Sequence, residues 1–176
     1  ILKVIPGPDF PTGGLILGRA GSYSAMTTGR GSVIMRGKAE ITEIRSGKEA
    51  IVITEIPYQV NKAKLIEKIA ELFREKKLPL LGNIQDESTD TVRVVLEPKS
   101  KNVSPELLME SLYRVTDLEI RYGVNMNVLG ADGIPRVMNL REMLQAYLDH
   151  RHEVLVRRSK HRLAEIERRS RQERAA

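Results

Sequence analysis

Glu55-Ile56-Pro57-Tyr58-Gln59-Val60-Asn61-Lys62 marks the point where a strand gives way to a helix. The apolar run 50–56 predicts a strand, and Pro57 is expected to end it because proline has no N–H for the ladder. Asn61 is a favoured helix N-cap, and the apolar residues that follow recur at spacings of three and four. This spacing predicts an amphipathic helix over 62–77, packed against a sheet.

The rest of the chain before residue 140 continues the same pattern. Alternating apolar and polar residues predict a strand over 32–44, which turns at 45–49 and pairs with 50–56. Further strands are predicted at 83–88, 91–96, 118–129 and 134–138, and further helices at 21–28 and 105–115. This order predicts an α/β fold of the two-layer α+β type, with a mixed or antiparallel sheet and helices on one face.

The last part of the chain predicts one long helix, which Asn139 caps and which continues to about residue 172. At ~1.5 Å per residue such a helix is about 50 Å long, more than one globular face can cover. Its first half is amphipathic and its second half is nearly all charged. We therefore expect an α/β domain over 1–139, followed by the start of a long coiled-coil arm over 140–176.

The composition of the 176 residues excludes several classes of protein. The chain is 41% hydrophobic and 30% charged, as in ordinary globular domains, and it contains no cysteine, which excludes disulfides and thiolate metal sites. No apolar run approaches the ~20 residues that span a bilayer, and a cytoplasmic location is expected. The chain opens without Met inside an apolar stretch, so we expect it to be a piece of a longer protein.

The net charge of +6 is concentrated at the two ends of the chain. Residues 1–38 carry five Lys and Arg and one acid, whereas residues 140–176 carry ten Lys and Arg and six acids. Two basic ends around a slightly acidic middle favour a polyanionic partner such as DNA. The alternative interpretation is that the basic helix is simply a solvated surface.

Two segments are suited to hold phosphate. In Thr28-Gly29-Arg30-Gly31-Ser32, backbone N–H groups between glycines and the Arg30 cation can surround a phosphate, and Arg36 and Lys38 follow on the same strand. At the helix start Asn61-Lys62, free N–H groups and the helix dipole favour an anion. The predicted DNA-binding residues are therefore Arg30, Ser32, Arg36, Lys38, Asn61 and Lys62. Ordinary loop, strand-surface and capping roles are the alternatives.

The chain carries no clear catalytic motif. There is no phosphate-binding loop of nucleotide hydrolases and no dinucleotide fingerprint. The three histidines fall on one predicted helix without a carboxylate to complete a metal site, so no metal is expected. Arg121-Tyr122 lies within a predicted strand and is interpreted as structural. No catalytic residue is predicted.

Several segments taken together resemble the A-type subunit of the bacterial type IIA DNA topoisomerases, which comprise gyrase and topoisomerase IV. The segments are 5–14, Thr28-Gly29-Arg30-Gly31, 55–62, 65–72, 86–88, Tyr122-Gly123-Val124-Asn125-Met126, His150-Arg151-His152-Glu153-Val154 and Arg157-Arg158. Residues 125–129 and 157–159 are more similar to topoisomerase IV than to gyrase. The resemblance covers essentially the whole chain.

This resemblance implies a role for the chain within a larger enzyme. It implies the tower domain plus the start of the coiled-coil arm, which would grip the flanks of the cleaved duplex while a second duplex passes. The catalytic tyrosine would lie upstream, outside this chain. The partners implied are double-stranded DNA, a second copy of the A-type subunit, and the ATPase subunit, which would supply ATP and Mg²⁺, so no cofactor is expected here. The alternative is a non-catalytic α/β interaction module whose basic helix mediates dimerisation.

Overall fold

The computed structural model describes residues 1–45 and 47–175. The strands are β1 (Leu15–Leu17), β2 (Arg30–Arg36), β3 (Lys38–Arg45), β4 (Lys48–Glu55), β5 (Leu81–Asp86), β6 (Val94–Pro98), β7 (Glu119–Asn125), β8 (Asn127–Leu129) and β9 (Pro135–Val137). The helices are α1 (Ala20–Thr28), α2 (Lys62–Arg74), α3 (Pro105–Val115) and α4 (Leu140–Ala175). The predicted two-layer class, with antiparallel strands, short helices and a long C-terminal helix, is confirmed.

The strands form three antiparallel sheets. Their orders are β1-β2-β7, β3-β4-β6-β5 and β8-β9. The strand predicted over 32–44 is therefore divided at Gly37 between two sheets, and the strand predicted over 118–129 is divided at Met126. The short strand β1 lies in the N-terminal segment, for which no strand was predicted. At the predicted turn 45–49, Arg45 pairs with Lys48, and Ser46 lies outside the described residues.

The chain is closely packed at Gly37, where it crosses from one sheet to the other. The Gly37 N–H donates to the carbonyl of Leu118 at 2.8 Å, and its own carbonyl accepts from the Tyr113 hydroxyl at 3.2 Å. A Cβ at this position would lie 2.8 Å from the Glu55 carbonyl oxygen. The crossing therefore needs glycine, because any side chain would displace the β4 backbone.

The core lies between the four-stranded sheet and two helices. Its fully buried side chains include Ile53 of β4, Leu96 of β6, Ile69 of α2, and Leu108 and Leu112 of α3, each 0% exposed. Helices α2 and α3 share this core, so they lie on one face of that sheet, as predicted. A smaller buried cluster of Ala50, Val52 and Val95 belongs to the same strands.

Side-chain caps begin three of the helices, and two of these caps, Asn61 and Asn139, were predicted. The Asn61 side chain accepts from the Lys64 N–H at 3.2 Å at the start of α2, and Ser104 accepts from Leu107 at 3.4 Å at the start of α3. Asn139 and Glu142 form a reciprocal capping box before α4, with N–H···O distances of 2.8 and 2.9 Å. Helix α4 has 36 residues and none of them is buried. Within the described residues, no helix combines the length and the apolar character that crossing a membrane requires.

Candidate nucleic-acid interface

The glycines of the Thr28–Ser32 segment serve the packing of α1 on β2. Gly29 ends α1 with a φ of 79°, and its N–H donates to the Ala25 carbonyl at 2.8 Å. A Cβ on Gly31 would lie 2.6 Å from the Ala25 nitrogen. The Arg30 N–H donates to Thr28 Oγ1 at 3.2 Å. Two of the backbone N–H groups expected to surround a phosphate, those of Gly29 and Arg30, thus donate within the chain, and the phosphate site itself stays a prediction.

The Arg30 and Ser32 side chains lie on what we call the outer face of the β2–β7 pair. Side chains alternate along a strand, and Val33 and Met35, which point inward, are 2% and 0% exposed. The register pairs Arg30 with Asn125, Ser32 with Gly123, Ile34 with Arg121 and Arg36 with Glu119. These eight residues form the outer face, and the six of them in the three pairs from Arg30 to Arg121 are exposed apart from the half-buried Ile34.

Two cations of this face have no internal partner. The guanidinium groups of Arg30 and Arg121 are exposed, and within residues 1–45 and 47–175 neither forms an ion pair or a side-chain hydrogen bond. Their Cα atoms are about 14 Å apart, given four strand residues of ~3.3 Å and one strand spacing of ~4.8 Å. Two unneutralised arginines on one sheet face, with no carboxylate between them, favour contact with a polyanion.

Arg121 and Asn125 were not among the DNA-binding residues predicted from the sequence. The structural interpretation of Arg121-Tyr122 fits Tyr122, whose ring lies 5.2 and 5.9 Å from those of Phe10 and Tyr58 on the inner side. Arg121 points the other way, into solvent. The alternation of Arg121, Gly123 and Asn125 was a signal for one polar face, but only the register with β2 shows that this face continues to Arg30.

Arg36 is on the same face but is held by two neighbours. It forms an ion pair with Glu119, and its guanidinium lies 4.5 Å from the centre of the Tyr113 ring. Burial raises the pKa of the Tyr113 hydroxyl above its ordinary value. Arg36 therefore lies at one end of the outer face, and its charge is largely balanced by Glu119 within the chain.

Lys38 begins β3, just past the crossing at Gly37. Its Nζ lies 4.0 Å from Glu40 and 3.9 Å from Glu55. Glu55 also accepts from the Gly14 N–H at 2.5 Å, which holds the N-terminal loop against β4. Lys38 is half-exposed and its ion pairs are long, so its charge remains accessible to an external anion.

Asn61 and Lys62 lie at the start of α2, away from the outer face. Lys62 Nζ lies 2.8 Å from the nearer Asp86 oxygen. This bond and the hydrogen bonds from Ser88 lower the pKa of Asp86 to about 2. The structure thus separates the six predicted residues: Arg30, Ser32 and Arg36 share the outer face, Lys38 begins the next strand, and Asn61 and Lys62 form a second locus.

The three histidines lie on α4, among exposed cations. His161 Nδ1 is 3.9 Å from Glu165, one turn further along the helix. Among the described residues, no group of three or more His, Asp or Glu side chains is arranged to hold a metal ion. This helix offers a basic surface, and its arginines 157 and 171 pair with Glu153 and Glu167.

Comparison with known proteins gives consistent results over the whole chain. The family model for the A-type subunit of DNA gyrase/topoisomerase IV matches residues 1–175. Over 95% of the chain, 54% of residues are identical to the A-type subunit of DNA topoisomerase 4 from Caulobacter vibrioides, and over 96%, 50% are identical to that from Rickettsia prowazekii. The corresponding DNA gyrase subunit of Granulibacter bethesdensis is 49% identical over 93% of the chain. The chain spans 22%, 23% and 17% of the lengths of these relatives.

Proposed function

Because this chain belongs to the family of DNA gyrase and topoisomerase IV A-type subunits, we propose that it is the DNA-holding tower part of such a protein. In this proposal residues 1–139 form the tower and residues 140–176 begin the coiled-coil arm. The observation that supports it most is the outer face, on which Arg30 and Arg121 are exposed and unneutralised. A sheet face whose cations have no internal partner is suited to contact the phosphate backbone of duplex DNA. Such backbone contacts do not depend on the base sequence.

The whole protein would then act as a type II topoisomerase. It would cut both strands of one duplex, pass a second duplex through the break, and reseal the first, in the bacterial cytoplasm. A second copy of the same protein and two copies of an ATPase subunit would complete the enzyme as a heterotetramer, and the ATPase subunit would supply the ATP and Mg²⁺ sites. This chain would hold the flank of the cut duplex and contribute no catalytic residue.

The contacts proposed are Arg30, Ser32, Arg36, Lys38, Asn61 and Lys62, together with Arg121 and Asn125. Arg30 and Arg121 are expected to contribute most, because a bound phosphate would displace no carboxylate from either. Lys62 and Arg36 would first have to share or release an acidic partner, which lowers the binding free energy that each can contribute. Ser32 and Asn125 would donate uncharged hydrogen bonds.

The test is fluorescence anisotropy of the 176-residue chain with a labelled ~30 bp duplex over a range of salt. Each phosphate contact lowers the slope of log K against log salt by about 0.9, so several contacts give a steep line. Arg30→Ala should reduce the steepness of that line by about one unit. The matched control is Arg74→Ala, since Arg74 is exposed at the end of α2 and forms no ion pair in the described part of the chain. Flat salt dependence would overturn the proposal.

One observation favours the second candidate function, dimerisation through the arm. Helix α4 exposes large apolar side chains, including Leu148 at 59%, Leu155 at 52% and Leu163 at 57%. Sedimentation of the chain beside a Leu148→Glu, Leu155→Glu double variant separates the two functions. If the double variant changes oligomeric state and DNA affinity does not change with Arg30→Ala, the interaction module is the better account.

A further inference from the structure

Gly123 differs from every other glycine of this chain. All thirteen glycines lie in the described ranges, and twelve of them have either a positive φ or a neighbour within 4 Å of where a Cβ would stand. Gly123 has neither: its backbone is ordinary extended strand, and a Cβ there would meet nothing. A glycine inside a strand weakens the strand, because it adds backbone entropy to the unfolded chain and packs no side chain. Nothing within the described chain requires glycine here.

Gly123 lies in the exposed part of the outer face, the three pairs from Arg30 to Arg121. Ser32, a small polar residue, lies directly opposite in β2. Arg121 and Asn125 flank Gly123 along β7 on the same face, and Arg30 lies opposite Asn125. We call this exposed part of the outer face, which comprises Arg30, Ser32, Ile34, Arg121, Gly123 and Asn125, the strip. Its two ends carry the exposed, unpaired guanidinium groups of Arg30 and Arg121, and the missing side chain of Gly123 leaves the sheet backbone uncovered between them.

We infer that Gly123 is a close-approach position at which the sugar–phosphate backbone of duplex DNA lies against the sheet. Glycine in a strand often marks a site where a ligand or another backbone comes near. The occupant follows from charge: the strip offers two cations and no carboxylate, and the first acid on the face, Glu119, is already paired with Arg36. A phosphate chain lying over Gly123 would have Arg30 on one side and Arg121 on the other.

This inference rests on the proposed DNA-holding function, in which Arg121 and Ser32 are already contacts, and adds Gly123 to it. The functional property of Gly123 is its absent side chain, which lets the DNA backbone approach the sheet.

The first test is Gly123→Val in the 176-residue chain, measured by the same anisotropy titration. Valine suits an exposed strand, so thermal stability should equal or exceed that of the parent chain. Its side chain would hold the DNA backbone off the strip, and affinity should fall by about tenfold, a loss equivalent to one good contact. The control is Gln85→Val, which places the same side chain at an exposed position of β5.

A second test uses the absence of cysteine from the chain. Gly123→Cys creates a single thiol, whose reaction with a maleimide can be timed with and without the duplex. At a duplex concentration of about ten times Kd, mass action predicts about tenfold slower labelling. Gln85→Cys should label at the same rate in both conditions.

The outcomes separate this inference from the proposed function. If the parent chain binds the duplex and Arg30→Ala weakens it, but Gly123→Val binds normally and Gly123→Cys labels at full rate, the close approach is refuted and the DNA-holding role stands. If Gly123→Val loses thermal stability, glycine is needed inside the chain and the inference fails. If the parent chain does not bind DNA even at low salt, the proposed function fails first.

Discussion

Lys62 and Asp86 join the start of α2 to the end of β5, with Lys62 Nζ 3.1 and 2.8 Å from the two carboxylate oxygens. The pair is at the surface, yet it lowers the pKa of Asp86 to about 2, together with hydrogen bonds from Ser88. The pair therefore stabilises the fold when the Asp86 carboxylate is ionised, and this contribution is lost when the carboxylate becomes protonated.

Asp86→Asn should lower the urea midpoint at pH 7, and the difference from the parent chain should shrink as the pH falls from about 4 to about 2. An aspartate with a lowered folded-state pKa stabilises the fold above its unfolded pKa of about 3.9, and this contribution is lost as the pH falls towards the folded value. Urea denaturation followed by circular dichroism at several pH values measures the effect. Asp90→Asn, at an exposed aspartate without an ion pair in the described residues, should show no such trend. A constant difference at all pH values would contradict this assignment.

Gly37→Ala should destabilise the fold by about 1–3 kcal/mol, the usual cost of forcing atoms into a packed region. Its Cβ would lie 2.8 Å from a backbone oxygen of β4 and 3.1 Å from Leu118 Cδ2, and the backbone cannot move aside cheaply. Chemical denaturation gives the change in the free energy of unfolding. Gly123→Ala is the matched control, because its Cβ meets nothing, and it should be neutral or slightly stabilising. Equal effects of the two alanines would show that the crossing at Gly37 is not tightly packed.

Leu112→Ala should cost about 2–5 kcal/mol, as expected when a fully buried leucine leaves a cavity. Leu112 is 0% exposed between α3 and the four-stranded sheet, whereas Leu107 on the same helix is 59% exposed. Leu107→Ala should therefore change the free energy of unfolding by less than about 0.5 kcal/mol. Urea titrations of the two variants decide this, and a large effect at Leu107 would mean that its face of α3 is covered.

Arg36→Ala should reduce the salt slope of DNA binding less than Arg30→Ala does, although both arginines lie on the outer face. Arg36 is balanced by Glu119 and stacked on Tyr113, so its loss removes little free charge. Its stabilising effect should also be small, about 1 kcal/mol or less, because both partners are about one-third exposed. A double-mutant cycle with Glu119→Ala measures the coupling. If Arg36→Ala instead gives the larger loss of slope, then the ion pair opens when DNA binds.

Local signals in the sequence were sufficient for the helices of this chain. Asn61 and Asn139 each cap the helix that they predict, because a capping side chain bonds an N–H only two or three residues away. The apolar spacing of α2 includes its buried side chains, Leu65, Ile69 and Leu72, but Phe73 in the same run is 40% exposed, and Leu107 of α3 is 59% exposed. The end of α2 was predicted three residues too late, since Glu75 is its C-cap and Lys76 has a φ of 60°.

The amino-acid sequence by itself determined the two-layer class, the helices with their caps, and the family. The tertiary structure alone decided that the chain leaves one sheet for another at Gly37, and that Arg121 and Gly123 belong to the same face as Arg30 and Ser32. The physical reason is the register of β2 against β7. That pairing joins residues about ninety positions apart in the chain, and a slip of one residue would turn every side chain of a strand to the opposite face. Such a register depends on core packing across the whole domain. A local pattern of residues carries no information about that packing.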